Sequence, residues 1–511
     1  MLNFSGNQQQ SQPINFDVEH HHQQQNLSSP ISKFKIFPLF RTDINTPTKS
    51  YITSRLCSWL LVAFLFQVLF IFLVTTNNTP NSQSPPSLNK HQQHDNKNKS
   101  INNGGRGECE YGNVYVYDLP PMFNKELLDH CDNLDPWSSR CNALSNDGFG
   151  PKATGLDQLV PGNLCPAWYW TDMYSAEVIY HSRMMGYKCR TSNPNNATGY
   201  YIPFYVGLSI GRYLWYNFTS KDRDRSSEMM LDWIKDQESW KLSNGSDHFI
   251  MLGRLTWDFR RLTDDDKEWG SKFAYMPLMK NVMKVTVERS IWDPLEVSVP
   301  YPTAFHPRSN VDILQWQGLI RARKRSSLFC FIGATRKKIK NDFRGVLMNY
   351  CKKETEKCKV VDCGVEKCYD GAPAILEGFL DSDFCFQPKG DGFTRRSFYD
   401  CMLAGSIPVY FWEKSFKDQY KWHLPNDARS YSVFIDHGVV RNNTGIIRSV
   451  LEKYSKDEIK KMRETIIGFM PRFLYSRYSG DLGSIKDAFD VAMDGILRKF
   501  KEQKEGKAIK S

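Results

Sequence analysis

The sequence predicts an α/β protein whose folded part begins near Cys109, on three observations. Short apolar runs alternate with helix-period patterns from residue 109 to about 495, the mark of strands and helices laid down in layers. The stretch 383–410 reads strand, glycine turn, helix, glycine stop, strand. Residues 1–108 instead hold one long apolar run inside polar, low-complexity sequence.

Residues 1–55 are rich in Gln, Asn, His and Ser, including the run His20, His21, His22. They carry too little apolar surface to offset the entropy of ordering, so a disordered tail is predicted. Leu56–Val74 follows, 19 residues without a charge. A helix of that length rises roughly 28 Å, close to the hydrocarbon thickness of a bilayer. It starts far from the N-terminus and lacks a small-residue cleavage site, which favours an uncleaved signal anchor over a removable signal peptide. Arg41, Lys49 and Arg55 precede it against Asp43, and only Lys90 follows within a comparable distance. The positive-inside rule then puts the tail in the cytosol and the rest across the membrane. Residues 75–107, with Leu88 and Ile101 as their large aliphatics, read as a flexible stem.

The division changes what charge and cysteine content mean. The chain is +11 overall, but the tail has five cations against three acids and the stem four against one, leaving +6 for some 400 folded residues. That is ordinary and excludes a nucleic-acid reading on charge. Of 13 cysteines, Cys57 lies in the apolar segment, leaving 12 for a lumen that oxidises thiols. Cys358, Cys363 and Cys368 lack paired C-x2-C spacing and a nearby histidine, so disulfides suit them better than zinc. Glycosylation acceptors beyond the membrane segment stand at Asn77, Asn98, Asn196, Asn217, Asn244 and Asn442.

Strands are predicted at Val114–Tyr117, Tyr201–Tyr205, His248–Leu252, Leu328–Ile332, Lys359–Val361, Phe384–Gln387, Ile407–Phe411 and Ser432–Ile435. Phe343, Val346, Leu347 and Tyr350 have helical spacing. Ser455 and Glu458 form a capping box, and Ile485, Phe489, Met493, Ile496 and Phe500 mark a last helix. The alternation is most even from about 325 to 440, where a nucleotide-binding type of domain is expected.

Within residues 383–410, Gly390 and Gly392 let backbone amides approach an anion above a helix N-terminus. Thr394 is placed to cap that helix and Gly405 to end it. Arg395 and Arg396 fall in its first turn, where cations oppose the helix dipole unless an anion lies between them and the amides. Asp400, one turn on, suits a ribose diol or a simple ion pair with Arg396. Phe329–Arg336, a strand running into a glycine turn and Arg336, is a second phosphate candidate.

These segments, with Cys109–Pro121, Gly253–Arg261 and Ser298–Pro307, resemble the exostosin-like glycosyltransferases of family 47, and among them the plant xyloglucan galactosyltransferase branch. The resemblance spans nearly all of 109–495. It implies a GT-B fold, two Rossmann-like domains facing a cleft, behind a single transmembrane helix and a disordered stem. The domains would be an acceptor-side 108–310 and a nucleotide-sugar-binding 311–480, with a C-terminal helix and tail at 481–511. It further implies a Golgi type II membrane protein that transfers a sugar with inversion from a UDP-sugar, most simply UDP-galactose, to xyloglucan or a related polysaccharide, in possible complex with other wall glycosyltransferases.

Donor binding is then expected from Arg336, Gly390, Arg395, Arg396 and Asp400. Inversion in one displacement needs a general base, and Asp258, after the His248–Leu252 strand, is the candidate, against a structural pairing with Arg254, Arg260 or Arg261. Arg254, Trp257 and His306 are the acceptor-side candidates, and His306 and Asp391 are lesser candidates for the base. No cofactor or metal is expected. The D-x-D strings at Asp222 and Asp224, Asp264–Asp266, and Asp381 and Asp383 sit in polar runs or ahead of a strand, so arginines would stabilise the departing UDP. Alternatives are a sister transferase using UDP-arabinose or UDP-galacturonic acid, a mannan acceptor, or a non-catalytic Golgi scaffold. A glycoside hydrolase would need two opposed carboxylates instead.

Overall fold

The computed structural model describes residues 109–508 apart from 217, 337–338, 367, 369–371 and 478–481. The tail, the apolar segment 56–74, the stem and the acceptors Asn77, Asn98 and Asn217 therefore lie outside the described residues. Among the described residues no helix is long and apolar enough to cross a membrane.

Two parallel sheets organise the chain. The first contains β1 (Asn113–Val116), β2 (Arg190–Thr191), β3 (Ala197–Ile202), β4 (His248–Leu252), β5 (Met283–Thr286) and β6 (Glu296–Ser298), in the order β2-β1-β3-β4-β5-β6. The second contains β7 (Ser327–Gly333), β8 (Cys358–Asp362), β9 (Ser382–Gln387), β10 (Ile407–Tyr410) and β11 (Val433–Phe434), in the order β11-β10-β9-β7-β8. The strand order reverses between β1 and β3 in one sheet and between β7 and β9 in the other. At such a switch point the loops leaving the carboxyl ends diverge and open a crevice.

The eight predicted strands are present, with ends moved by a few residues. Three more, β2, β5 and β6, were not expected. In β5 and β6 the cause is buried charge: Lys284 and Glu296 lie inside, where their charges signalled surface. Lys284 is held by Asp293 at 3.3 Å, and Glu296 accepts from Thr256 Oγ1 at 2.8 and 2.9 Å and from Arg260. Buried charges persist only when paired and hydrogen-bonded, and the Glu296 partners Thr256 and Arg260 lie 40 and 36 residues away.

Helix signals are met at the caps. Asp342 accepts from Arg344 N and Gly345 N, each at 3.2 Å, to open the helix Phe343–Lys353. Ser455 and Glu458 form their reciprocal box ahead of Lys456–Phe469. The last helix, Ala488–Ala508, begins after Ile485 and returns to the first sheet, where Phe500 occupies the space over Gly199 on β3.

One apolar core joins the sheets, running from Tyr201, Phe249 and Val285 to Phe329, Phe384 and Val409. Polar ties cross the same seam: Tyr420 Oη donates to Val287 O at 2.7 Å and Tyr475 Oη to Pro300 O at 2.8 Å. Five disulfides close, Cys109–Cys189, Cys131–Cys141, Cys351–Cys358, Cys363–Cys368 and Cys385–Cys401. Cys165 and Cys330 stay free, so the twelve cysteines are not all bridged. Asn196, Asn244 and Asn442 are exposed, as acceptors must be.

Two expectations are corrected here. His306 is fully buried: Nδ1 donates to Tyr475 O at 2.7 Å, Nε2 pairs with Thr171 Oγ1 at 2.7 Å, and Phe149 packs 4.0 Å from the ring. It is a structural link and cannot meet an acceptor. Thr394 does not cap the helix Arg396–Leu403, whose N-cap is Arg395 with no side-chain bond.

Burial holds the His306 imidazole neutral, pushing its pKa down to about 3. The unfolded chain binds a proton there below pH 6.5 and the folded chain does not, so this residue's contribution falls as pH falls through that window. Replacing it by His306→Gln should cost less stability at pH 5 than at pH 7, by roughly 2 kcal/mol. Urea unfolding of both proteins at the two pH values measures the difference.

Candidate active site

The switch point of the second sheet carries a concentration of cations. β7 ends in Gly333 and leads to Arg336; β9 ends in Gln387 and leads through the glycine loop to Arg395. Because Phe329 pairs with Phe384 and Cys330 with Cys385, the two loops leave neighbouring strands at one edge. Asp342 fixes the first loop by accepting from Arg336 N at 2.6 Å with the same carboxylate that caps the following helix. Its neighbour Arg344 then joins the cluster.

Gly390 shows how closely the arginines converge. A Cβ on that residue would stand 2.9 Å from both Arg344 Nη2 and Arg395 Nη1. No acidic side chain among the described residues forms an ion pair with Arg395 or Arg344, and the Arg344 Nε is buried without an acceptor. Burial, then the neighbouring Arg336, lowers the Arg395 pKa to about 10. Asp391 pairs with Arg336 at 2.5 Å and is largely exposed. Half-buried guanidinium groups gathered with little counter-charge are suited to a multivalent anion such as a diphosphate.

The glycine loop is held from the first sheet. Glu288, just beyond β5, accepts from Thr394 N and Thr394 Oγ1, both at 2.6 Å, and from the Phe393 amide. Burial raises the Glu288 pKa, and those donors oppose the rise. A side chain at Gly392 would collide with this carboxylate.

Arg396 and Asp400 do not join the cluster through any bond seen here. Arg396 Nη1 donates to Thr171 O, on the first-sheet side, and its Nε lies 3.2 Å from Asp400. Burial raises the Asp400 pKa despite that cation. This is the i, i+4 pair that stood as the alternative to ribose binding.

Facing the cluster are groups from the carboxyl end of β4. Arg254 Nε donates to Asp258 Oδ2 at 2.9 Å, and Trp269 Nε1 donates to Asp258 Oδ1 at 2.7 Å. The buried Asp258 carboxylate is thus oriented by two donors, the first being the pairing weighed against a catalytic role. Tyr174 packs against Arg254, its ring 4.5 Å from the guanidinium. Its pKa is pushed up to about 12 by burial, with Arg254 opposing and Asp258 and Asp391 adding to the rise. Tyr174 therefore lies within electrostatic reach of both sheets' loops. Trp257 is partly exposed, its rings 5.5 Å from Trp269, and its Nε1 finds no protein acceptor.

Below Arg254, Glu177 is buried and accepts from Gly207 N, Gly253 N and Leu208 N at 2.7, 3.0 and 3.2 Å. Burial lifts its pKa to about 7. Sequence reading did not single out Arg344, Glu288, Tyr174 or Glu177. Arg344 follows a helix-capping Asp in a region already read as phosphate-binding, a usable signal; the others act through contacts no local pattern announces.

The D-x-D strings are committed elsewhere. Asp222 closes a capping box with Thr219, and Asp224 is buried against Arg261 and Ser271. Asp264 pairs with Lys272 at 3.0 Å, and Asp266 accepts from Ser220 N at 2.6 Å. Asp381 pairs with Arg323 and Lys359, and Asp383 with Arg463. A cavity of about 480 Å³ between Cys109, Arg183, Tyr187 and Asp490 is lined by none of the site residues.

Residues 108–450 match the Exostosin GT47 domain. "Xyloglucan galactosyltransferase XLT2" of Arabidopsis thaliana is 54% identical over 397 residues, 78% of this chain and 76% of that protein. "Xyloglucan galactosyltransferase MUR3" from the same plant is 38% identical, over 76% of this chain and 62% of its own length. "Xyloglucan-specific galacturonosyltransferase 1", also from that plant, is 36% identical over 77% of this chain and 58% of its own.

Arg344→Ala and Arg395→Ala should each weaken UDP binding by about ten- to a hundredfold, the loss expected for a charge-assisted hydrogen bond of roughly 1.5–3 kcal/mol. Arg396→Ala, turned toward Thr171, should weaken it less. Titration calorimetry with the three variants measures the order.

Proposed function

The chain belongs to the exostosin GT47 family, and from that we propose that it is a galactosyltransferase moving galactose from UDP-galactose onto xyloglucan side chains. The observation that carries the donor half is the convergence of Arg336, Arg344 and Arg395 on the glycine loop at the β7–β9 switch point. The family and the names of the relatives supply the sugar and the acceptor.

In this reading the two sheets are the Rossmann-like halves of a GT-B enzyme. The acceptor hydroxyl oxygen attacks the anomeric carbon of galactose as the bond from that carbon to the UDP oxygen breaks. UDP departs with the electron pair, and the arginines take up the charge that grows on the diphosphate. The hydroxyl proton passes to Asp258, which is oriented by Arg254 and Trp269 beside Trp257. No metal is needed at the diphosphate when guanidinium groups supply its counter-charge, so activity should persist in EDTA. Five disulfides and exposed acceptors at Asn196, Asn244 and Asn442 support a secretory lumen. With Leu56–Val74 as anchor, the protein is read as a Golgi type II membrane enzyme.

Full-length chain in detergent, given UDP-galactose, UDP-arabinose and UDP-galacturonic acid with xyloglucan and mannan oligosaccharides, should yield galactosylated xyloglucan. Absence of that product with every xyloglucan acceptor would reject the reading; product from another donor would reassign the sugar. Asp258→Asn should lower transfer by about 10²–10⁴-fold, as loss of a general base does, with UDP affinity unchanged. Near-normal transfer by that variant would remove Asp258 from the role.

A further inference from the structure

A chain of aromatic rings leads from the protein surface to Asp258. Trp137 lies 5.4 Å from Tyr216 and 6.1 Å from Trp215, ring centre to ring centre. Trp215 is 5.1 Å from Trp269, and Trp269 is 5.5 Å from Trp257. Trp269 ends the chain at the candidate base, donating its N–H to Asp258 at 2.7 Å. The five rings come from three separate stretches: the loop 131–141, the segment after the helix Val206–Gly211, and residues 257–269 beyond β4.

The outer rings are costly to leave in water. Trp137 is 66% exposed and Tyr216 67%, and large aromatic side chains gain most by burial. Both are nonetheless held in place. Trp137 sits in the loop closed by Cys131–Cys141, its backbone N–H donating to Asp135 Oδ1 at 2.8 Å, and Arg140 pairs with Asp172 at 2.7 Å. Tyr216 has φ 64°, a left-handed conformation that an aromatic residue adopts only under constraint. Inward, Trp257 keeps a buried indole N–H with no protein acceptor. Exposed apolar groups organised this way mark a binding surface.

We propose that these rings form an acceptor track, binding the β-linked glucan backbone of xyloglucan and delivering one of its side chains to Asp258. The assignment rests on the galactosyltransferase reading above. The chemistry selects the occupant: a pyranose has flat faces of C–H groups, a glucan repeats them, and the exposed Trp137 and Tyr216 offer flat, uncharged rings to them, with Trp215 meeting Trp137 and Trp269 edge to face at 71° and 75°. Continuity selects it too, since the inner end of the row is bonded to the residue expected to take the acceptor's proton. The outer rings then act as distant subsites, felt by a long glucan and not by a short one.

The test reads binding without turnover. Full-length chain in detergent is run through native gels containing xyloglucan, and oligosaccharides of increasing backbone length are titrated by calorimetry. The wild type should be retarded and should bind longer chains more tightly. Trp137→Ala should lose affinity for long chains by about tenfold, the scale of one stacking contact, and bind short ones as before, with UDP affinity and Tm unchanged. Tyr216→Asn, which suits the left-handed backbone, should behave alike, and Trp137→Phe should restore most of the loss. A wild type that is not retarded overturns the track, as do variants that bind long chains like wild type. If Asn217→Gln, which removes the glycan acceptor beside Tyr216, abolishes retardation while Trp137→Ala does not, the surface belongs to a glycan and the track is again overturned. Retardation without galactose transfer would instead sink the function proposed above and leave the track standing.

Discussion

The candidate site depends on one buried carboxylate. Glu288 belongs to the first sheet, yet it accepts three hydrogen bonds from the loop that follows β9 of the second. A carboxylate buried without donors would be very unfavourable, and with them it becomes a fixed link. It draws Phe393 and Thr394 back under the first sheet, requires glycine at 392, and so sets where Gly390 and Arg395 stand. The helix that follows is tied to β9 by Cys385–Cys401. Loop, strand and helix are therefore positioned together, with the apolar core and the Tyr420 and Tyr475 bonds holding the sheets around them.

Around this link the arginines differ in what they meet. Arg254, Arg260 and Arg261 each meet a carboxylate, and buried Arg325 caps the carbonyls of Phe379, Ser382 and Ala404. Among the described residues, Arg344 and Arg395 have no acid opposite them. A guanidinium left without a carboxylate in a half-buried setting is a candidate for an anion. Trp137 and Tyr216 are likewise large apolar groups left unburied.

Much of the secondary structure was legible because it is local. The Ser455–Glu458 capping box, the helix-period apolar residues and the strands with uninterrupted apolar runs stand where their patterns put them. β5 and β6 escaped because Lys284 and Glu296 look like surface residues, and only Asp293, Arg260 and Thr256 make their burial possible. Thr394 looked like a helix cap because nothing nearby announces Glu288, which is 106 residues away. His306 looked available to a substrate because its partners, Thr171 and Tyr475, are far along the chain in opposite directions.

By itself the sequence determined the layered α/β class and the glycine and arginine content of the two loops that leave β7 and β9. These follow from composition, period and short-range sterics, which act within a few residues. Tertiary structure alone decided which of those arginines meet an acid. It also set Asp258 between Arg254 and Trp269, and lined five aromatic rings into a row. Such outcomes depend on which distant groups share a low-dielectric interior, and only the closed chain brings them within reach of one another.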